Sequence, residues 1–394
     1  MTLYQHHSKR RALIVTGEAS GDLHGANLIE AARELDPGLS FFGVGGKRMA
    51  AAGCEILIPA EELAVMGAVE VLARFGVIRR AFRTLSRVLR GPDRPDLVIL
   101  IDYPGFNLRL AKVAKAAGVP VLYYISPKVW AWRKGRIHTI AERVDTLAVI
   151  FPFEPHIYQG LGLKVEYVGN PLLDEPGSSC GRADYLRRHG LDPSRPVVGL
   201  FPGSRNNELK YIFSTLMASA ERLRQAIPDL QFLLPLAPSL SKPDLQQRLS
   251  GSNLAVVLVE DNIYDTAGAC DAIISVSGTV TLQIALAGTP MVIIYKAAPL
   301  TYALGKRLVK IEHFGLPNIV AGRGVVRELL QDAANPEAIC GEILRLLQDQ
   351  SYNRQQRSGL ESVRQRLGAP GCSARVARIA SAMSCGQMPV KDQP

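Results

Sequence analysis

The sequence predicts an α/β protein with two doubly wound domains, each built on a parallel sheet, and a helical tail at the C-terminus. Short apolar runs alternate with amphipathic stretches, which is the pattern of buried parallel strands and their connecting helices. A stretch rich in proline, glycine and serine interrupts this alternation, which then starts again. The 394 residues suffice for two domains of ordinary size. We therefore expect two domains that face each other, with a linker between them.

Five apolar runs predict the strands of the first domain, which we place at residues 10–175. Each run is followed by a turn of glycine, proline or serine residues and then by a helical stretch such as 108–117. Their continuous apolar character is typical of parallel strands buried on both faces. The runs are ALIVT at 12–16, FFGV at 41–44, LVILI at 97–101, VLYYI at 121–125 and TLAVIF at 146–151.

A linker and a second domain are predicted after these strands. The linker, at 176–195, is rich in proline, glycine and serine and contains a short helix. The second domain, at 196–385, includes terminal helices predicted at 335–350 and 351–367. Its strands are predicted at VVGLF 197–201, FLLPL 232–236, AVVLV 255–259, AIISV 272–276 and MVIIY 291–295.

Composition excludes several classes of protein. A hydrophobic fraction of 47% and a charged fraction of 21% are typical of a globular chain and not of a disordered one. No apolar run approaches the ~18 residues that a membrane-spanning helix needs. The six cysteines are scattered without a CxxC pair, and no HExxH or clustered acidic spacing is present. We therefore expect buried thiols in a reducing cytoplasm, and neither a metal site nor a cofactor.

The net charge of +10 is concentrated in part in one amphipathic segment. Between Val71 and Gly91 the chain has six arginines and no acidic residue, interleaved with apolar side chains. This pattern favours an anionic membrane surface over a nucleic-acid groove, and we predict a membrane-facing segment at 61–90. The alternative is a surface helix whose apolar stripe covers the core, and the sequence leaves both open. The arginines are Arg74, Arg79, Arg80, Arg83, Arg87 and Arg90.

Ligands in open α/β sheets bind outside the carboxyl ends of the strands, so the loops after the apolar runs are the candidate site. The first loop is GEASGD at 17–22, which departs from the GxGxxG dinucleotide fingerprint. Its carboxylates would repel a pyrophosphate and suit hydroxyl groups, so Glu18, Ser20 and Asp22 are predicted to bind a sugar acceptor. The alternative for Asp22 is the N-cap of the helix that starts near Leu23.

Asp102 follows the LVILI strand and is a candidate general base. A carboxylate at the tip of a buried strand is partly desolvated, which raises its pKa towards that of a base. Pro104 and Gly105 keep this strand tip short and turned. The alternative is a carboxylate that caps a helix opening near Asn107.

Both tryptophans of the chain lie in the loop after the VLYYI strand. Trp130 and Trp132 stand beside four cationic residues, Lys128, Arg133, Lys134 and Arg136. This combination predicts a surface that binds an anionic amphiphile, with Trp132 and Arg133 on the acceptor side of the site. The alternative is a pair of tryptophans buried in the core.

Two loops of the second domain have the features of a diphosphate site. Gly203, Ser204 and Arg205 follow the VVGLF strand, and Ser277, Gly278 and Thr279 follow AIISV. In each loop a turn of small residues leads into a helix N-terminus, whose free N–H groups and dipole favour an anion. Gln283 lies one helical turn after Thr279 and is predicted to reach a ribose. The alternative is that these are ordinary βα turns, which are often small and polar.

Several motifs together resemble the lipid-A-disaccharide synthases of Gram-negative outer-membrane biosynthesis. The resemblance spans nearly the whole chain, and SPxVWAWR is its most specific motif. The motifs are GEASGD at 17–22, EELAVMGAVEVL at 61–72, IDxPxFN at 101–107, SPxVWAWR at 126–133, PGSR at 202–205, SGT at 277–279, KRLVK at 306–310 and LPNIVAGR at 316–323.

The resemblance implies a GT-B fold and an inverting, metal-independent glycosyl transfer. In that family 2,3-diacylglucosamine passes from UDP-2,3-diacylglucosamine to the 6-hydroxyl of lipid X, giving a β-1,6-linked disaccharide 1-phosphate and UDP. By position, Asp102 would be the base, Arg205 with the 278–279 backbone would hold the diphosphate, and Asn318 would lie on the nucleotide side. Glu18 and Asp22 would lie near the sugars.

This chain departs from the family pattern at Gln283, where glutamate is usual, and at Gly105, where aspartate is usual. A glutamine keeps only one acceptor oxygen for the ribose hydroxyls, which would weaken the donor contact. The resemblance also implies peripheral association with the cytoplasmic face of the inner membrane and no nucleic-acid partner, and a homodimer stays open. Alternative functions are another GT-B transferase, a UDP-sugar epimerase, or a non-catalytic membrane-associated nucleotide-sugar binder.

Overall fold

The computed structural model describes residues 10–63, 75–131, 135–298, 302 and 312–387. By their contacts these residues form two compact units. The first unit contains the residues up to Asp174 and the residues from Ala369 onward. The second unit is Glu175–Gly368. Each unit is built on one parallel sheet, with seven strands in the first and six in the second.

The first sheet has the order β3-β2-β1-β4-β5-β6-β7, and all its neighbouring strands are parallel. The strand order reverses between β1 and β4, so the loops that follow these two strands meet at the switch point of the sheet. The strands are β1 Arg10–Val15, β2 Leu39–Gly45, β3 Glu55–Pro59, β4 Leu97–Ile101, β5 Val121–Tyr124, β6 Thr146–Val149 and β7 Lys164–Tyr167.

Helices cover both faces of this sheet. Successive residues of β1 point to opposite sides, so Leu13 and Val15 join one apolar cluster while Ala12 and Ile14 join another. This explains the uninterrupted apolar runs in the sequence. The helices are α1 Ala19–Leu35, α2 Lys47–Ala51, α3 Ala60–Leu63, α4 Phe75–Arg90, α5 Pro104–Ala116, α6 Arg136–Arg143 and α7 Glu154–Ile157, followed by a 3-10 helix at Pro171–Leu173.

The second sheet has the order β10-β9-β8-β11-β12-β13, again all parallel, and its switch point lies between β8 and β11. The strands are β8 Val197–Phe201, β9 Gln231–Pro235, β10 Val256–Val259, β11 Ala272–Val276, β12 Met291–Tyr295 and β13 Arg327–Leu330. The helices of this unit are α8 Arg182–Arg188, α9 Asn206–Ala226, α10 Lys242–Leu249, α11 Ile263–Ala269, α12 Thr279–Leu286, α13 Leu316–Ala321, α14 Pro336–Gln348 and α15 Gln350–Arg366, with a 3-10 helix at Gln331–Ala333. The last helix of the chain, α16 Cys372–Ser384, packs in the first unit.

All ten strands predicted from apolar runs are present, within one or two residues at each end. Three further strands, β3, β7 and β13, carry no continuous apolar run. All three lie at sheet edges, where one side of the strand has no neighbour. Charged residues such as Glu55 and Arg327 are therefore tolerated there in exposed positions, and the sequence signal of a buried strand is lost.

The predicted extent of the second domain, 196–385, is wrong for its last helix. Helix α16 contributes Cys372, Val376 and Met383 to the apolar cluster that contains Ala12 and Ile14 of the first sheet. The carboxylate of Asp174 accepts hydrogen bonds from the N–H groups of residues 371, 372 and 373 and so caps this helix. An amphipathic period identifies a helix but does not say which core its apolar face covers.

The predicted linker at 176–195 contains the expected short helix, α8, but it packs on the second unit. Asp265 accepts hydrogen bonds from Ser178, Ser179 and the N–H of Cys180, at 2.6–3.2 Å. Tyr185 of α8 is 1% exposed. This segment is therefore an ordered part of the second unit.

Cys54, Cys270, Cys340 and Cys372 are buried thiols, as expected, whereas Cys180 is partly exposed and Cys385 is exposed. Within the described ranges, no helix combines the length and the apolar character needed to cross a membrane.

Candidate functional site

The strand tip after β4 has an unusual backbone. Asp102 and Tyr103 have φ angles of 42° and 47°, a left-handed conformation that residues with a side chain rarely adopt. The carbonyl oxygen of Asp102 accepts hydrogen bonds from the Tyr123 hydroxyl at 2.5 Å and from the buried Asn107 amide at 2.8 Å. These contacts hold the strained turn in place. Such strain is typical of functional sites.

The surroundings of Asp102 suit a base. Burial, and then the negative charge of Glu18, raise the pKa of Asp102 to about 6, against the opposing effect of Lys128. The carboxyl is therefore mostly ionised at pH 7 and still basic enough to take a proton. The alternative role as a helix cap near Asn107 is wrong, because α5 begins at Pro104 and its N-cap residue is Tyr103.

The loops after β1 and β4 pack directly on each other. A Cβ atom at Gly17 would lie 2.5 Å from the ring of Tyr103, so only glycine fits at this position. Glu18 is the N-cap residue of α1, and its charge acts on Asp102. Glu18 and Ser20 are exposed. The structure thus brings Glu18, one of the three predicted sugar-binding residues of the first loop, near the predicted base.

Asp22 has a different position from the one predicted. It is 8% exposed, and its carboxylate accepts hydrogen bonds from the N–H groups of Gly46, Arg48 and Met49 at 2.6, 3.1 and 3.1 Å. It therefore caps α2 and does not cap its own helix α1. The sequence could not show this, because the N-cap residue of the partner helix, Gly46, lies 24 residues later.

A pocket of about 190 Å³ lies at Asp102. Lys128 and Arg136 contribute cations to it, and Pro127 and Val129 bring the loop after β5 to the same place. Trp130 of that loop is half-buried and meets the rings of Phe151 and Phe153 edge-on. Trp132 and Arg133 lie outside the described residues. The pocket combines one carboxylate with two cations, a suitable set for a phosphorylated substrate with a hydroxyl to deprotonate.

The second half of the basic segment forms helix α4. Ala81, Leu85 and Leu89 are buried against the core, as the alternative interpretation predicted. The five arginines of this helix are all exposed, and Phe75 at its start is 56% exposed. Residues 64–74, with Arg74 and much of the apolar part of the predicted membrane-facing segment, lie outside the described residues.

The two candidate phosphate loops of the second unit follow neighbouring strands. Helix α9 begins after Arg205, and Gly203 has a φ of 92° in the turn before it. Helix α12 begins at Thr279, with Gly278 as its N-cap residue. Because β8 and β11 pair directly, both helix N-termini lie at the carboxyl edge of the sheet, at its switch point. Ser204, Arg205 and Thr279 are exposed there.

Gln283 has a partner that the sequence did not indicate. Its amide nitrogen donates a hydrogen bond to the carboxylate of Glu175 at 3.1 Å, and the hydroxyl of Tyr264 donates to the same oxygen at 3.0 Å. A carboxylate therefore lies beside the glutamine. No local signal marked Glu175, which follows Asp174 as the last residue of the predicted first domain.

Asn318 is a structural residue, contrary to its predicted nucleotide contact. It is 1% exposed, and its amide nitrogen donates to the carbonyl of Val326 and to Glu328 at 2.7 and 2.6 Å. Its oxygen accepts from the N–H groups of Val325 and Val326, both at 2.8 Å. These four bonds use its hydrogen-bonding capacity and tie α13 to the segment before β13.

Comparison with known proteins gives one consistent result. The family model described as "Lipid-A-disaccharide synthetase" matches residues 12–381. A protein named lipid-A-disaccharide synthase from Syntrophotalea carbinolica is 61% identical over 384 residues, covering 98% of each chain. A protein of the same name from Geobacter metallireducens is 55% identical, over 94% of this chain and 96% of its own.

Solved structures with little sequence identity share the fold. A putative UDP-N-acetylglucosamine 2-epimerase from Listeria monocytogenes has a TM-score of 0.65 at 13% identity, covering 98% of this chain and 99% of its own. The calicheamicin glycosyltransferase CalG4 has a TM-score of 0.59 at 14% identity, covering 97% and 100%. The predicted GT-B fold, with two parallel α/β domains and a helical C-terminal tail, is confirmed.

Proposed function

Because the chain belongs to the lipid-A-disaccharide synthetase family, we propose that it transfers 2,3-diacylglucosamine from UDP-2,3-diacylglucosamine to lipid X. The products are the β-1,6-linked disaccharide 1-phosphate and UDP. The observation that carries the proposal is Asp102, a strained strand-tip carboxylate in a pocket with Lys128 and Arg136. Together these groups suit an acceptor that has both a phosphate and a hydroxyl.

The transfer step follows from the position and basicity of Asp102. Its carboxylate takes the proton of the acceptor 6-hydroxyl while that oxygen forms a bond to the anomeric carbon of the donor. The bond from this carbon to the UDP oxygen breaks on the opposite face, so the anomeric configuration inverts. A pKa of about 6 supports this role, since the base is ionised before the reaction and protonated only as the hydroxyl becomes acidic.

The departing UDP needs positive charge around its diphosphate. Arg205 and the N–H groups at the start of α12 supply it without a metal ion in this proposal. Among the residues that the structure describes, no three His, Cys, Asp or Glu side chains are grouped as metal ligands. Ser204 and Ser277 would add hydroxyl contacts to the same oxygens.

Glu175 supplies the carboxylate that position 283 lacks in this chain. Its hydrogen bonds from Gln283 and Tyr264 place the carboxylate one helical turn from the start of α12. A ribose attached to a diphosphate at that helix N-terminus lies within reach of both side chains. Gln283 and Glu175 would then share the acceptance of hydrogen bonds from the ribose hydroxyls.

Membrane association follows from the substrates, since acylated sugars reside in a lipid layer. The exposed arginines of α4 would contact anionic headgroups, each contributing about 1 kcal/mol near such a surface. The buried face of α4 stays on the core, so this helix would bind by its charge. The apolar residues at 64–74 would then add the hydrophobic part of the contact.

An epimerase is the second candidate, because the putative UDP-N-acetylglucosamine 2-epimerase from Listeria monocytogenes has this fold. The test is incubation of the purified protein with UDP-2,3-diacylglucosamine and lipid X, followed by mass spectrometry. We expect equal amounts of disaccharide 1-phosphate and UDP, and loss of both with Asp102→Asn. Epimerisation of the donor without acceptor would refute the transferase proposal, and full turnover by Asp102→Asn would refute the choice of base.

A further inference from the structure

A second acidic residue lies near the Asp102 pocket and has no part in the transfer step. Glu154, at the start of α7, is 1% exposed. One of its carboxyl oxygens accepts hydrogen bonds from the N–H groups of Ile150 and Phe151, at 3.1 and 2.9 Å. The backbone N–H of Glu154 donates in turn to the carbonyl of Phe151 at 3.1 Å. The side chain thus closes the turn that follows β6.

This turn holds the loop of residues 126–131, which contributes to the pocket. Phe151 and Phe153 stack with ring centres 5.5 Å apart, and Trp130 meets both edge-on at 6.4 and 5.5 Å. At the other end of α7, the hydroxyl of Tyr158 hydrogen-bonds the hydroxyl of Ser126 at 2.7 Å. The loop is therefore fixed at two points by the segment that Glu154 closes.

The loop also links two carboxyls electrostatically. Lys128 favours the charged forms of both Asp102 and Glu154. Burial is the main influence on Glu154 and raises its pKa to about 7. Among the described residues, Tyr158 and Tyr167 also interact with Glu154, and burial raises the pKa of each hydroxyl to about 12, so neither ionises near neutral pH. Glu154 is therefore still mostly protonated near pH 6, where Asp102 loses its proton.

We propose that Glu154 is a positioning residue for the transfer reaction: its carboxyl oxygen fixes the turn that holds residues 126–131, and with them the Lys128 and Val129 side of the Asp102 pocket. This inference rests on the proposed function. This role depends on the oxygen that accepts the two N–H groups and not on the charge of Glu154, because the protonated carboxyl keeps that oxygen.

Two variants separate the charge of Glu154 from its shape. Glu154→Gln keeps an oxygen that can accept both N–H groups but has no charge. We expect its kcat and kcat/KM to stay within about threefold of wild type, with the acidic limb of kcat/KM at the same pH, because the protonated carboxyl that it replaces is also uncharged. Glu154→Leu leaves both N–H groups without an acceptor, and we expect kcat/KM to fall at least tenfold. Glu142→Gln, an exposed change of the same kind on α6, is the control and should match wild type in both measurements.

A third measurement does not depend on activity. The only tryptophans of the chain are at 130 and 132, so intrinsic tryptophan fluorescence reports on this loop. Emission should move to longer wavelength in Glu154→Leu, because Trp130 loses its fixed packing against Phe151 and Phe153, and should stay unchanged in Glu154→Gln. Wild-type kcat/KM in folded Glu154→Leu would refute the inference. A tenfold loss of kcat/KM in Glu154→Gln would also refute it, even if Glu154→Leu does not fold. Absence of disaccharide with the wild-type protein would instead count against the proposed function.

Discussion

Replacing Asp102 with asparagine should stabilise the folded protein at pH 7 while it abolishes transfer. Burial, and then Glu18, raise the pKa of this carboxyl from 3.8 to about 6. The unfolded chain keeps the ordinary value, so the folded state binds the proton more tightly than the unfolded state does. Ionised Asp102 therefore costs the folded protein free energy, and this cost grows as the pH rises from about 4 to about 6 and then stays constant.

The size of the effect follows from the two pKa values. Each pH unit between them corresponds to about 1.4 kcal/mol, which gives a cost of roughly 3 kcal/mol at pH 7. At pH 4.5 the unfolded chain is only partly ionised at this position, and the cost falls to about 1 kcal/mol. Asparagine has nearly the same shape and no charge. We expect Asp102→Asn to raise the free energy of unfolding by about 2 kcal/mol at pH 7, after allowance for the weaker hydrogen bond that a neutral amide oxygen accepts from the Tyr103 N–H.

Urea denaturation at pH 7 and pH 4.5 measures this difference directly. The gain from Asp102→Asn should shrink by more than half at the lower pH. Asp93→Asn, at an exposed position before β4, is the matched control and should change stability by less than about 0.5 kcal/mol at either pH. An equal gain at both pH values, or no gain at pH 7, would show that Asp102 is not held in a disfavoured ionisation state.

Three further predictions test other parts of the molecule. Glu175→Gln should weaken UDP binding about tenfold and reduce the preference for UDP over 2′-deoxy-UDP, as measured by calorimetry, and an unchanged preference would exclude Glu175 from the ribose contact. Asn318→Ala should lower the free energy of unfolding by about 3 kcal/mol, because it removes the hydrogen-bond partner of the Val325 and Val326 N–H groups and of the Val326 carbonyl, and folded protein should still bind UDP. Changing Arg79, Arg80 and Arg83 together to glutamate should abolish sedimentation with anionic vesicles without altering the circular dichroism spectrum, and unchanged sedimentation would exclude α4 from membrane binding.

Periodicity and strand-end loops predicted the central strands of both sheets and the place of Asp102. Both depend on short-range patterns: a strand buried on two faces must be apolar throughout, and the residue after it must lie at the sheet's edge. The edge strands β3, β7 and β13 were not predicted, because none of them is buried along its whole length and none has a continuous apolar run. Glu154 lies three residues after the end of the TLAVIF run, so the same rule for strand-end loops would have identified it.

The errors concern side chains whose partners lie elsewhere in the chain. Asp22 satisfies the N–H groups of a later helix, and Asn318 bridges α13 to the segment before β13. Both are polar residues in loops or at helix starts, where binding residues and capping residues have the same sequence appearance. Only the three-dimensional contacts distinguish a binding residue from a capping residue. Glu175 was missed for the same reason, since its partners Tyr264 and Gln283 lie far along the chain.

The return of α16 to the first sheet has a consequence for synthesis of the protein. Residues up to Asp174 leave the ribosome first, but the apolar face that contains Ala12, Ile14 and Leu28 is covered only when α16 has been made. The second unit, Glu175–Gly368, is continuous and can complete its core earlier. During translation the nascent first domain therefore carries an uncovered apolar surface for the time needed to make nearly 200 residues. A chain that terminates before residue 372 would leave that surface permanently open, so C-terminal truncation damages the domain that contains Asp102, although Asp102 lies far from the missing residues in sequence.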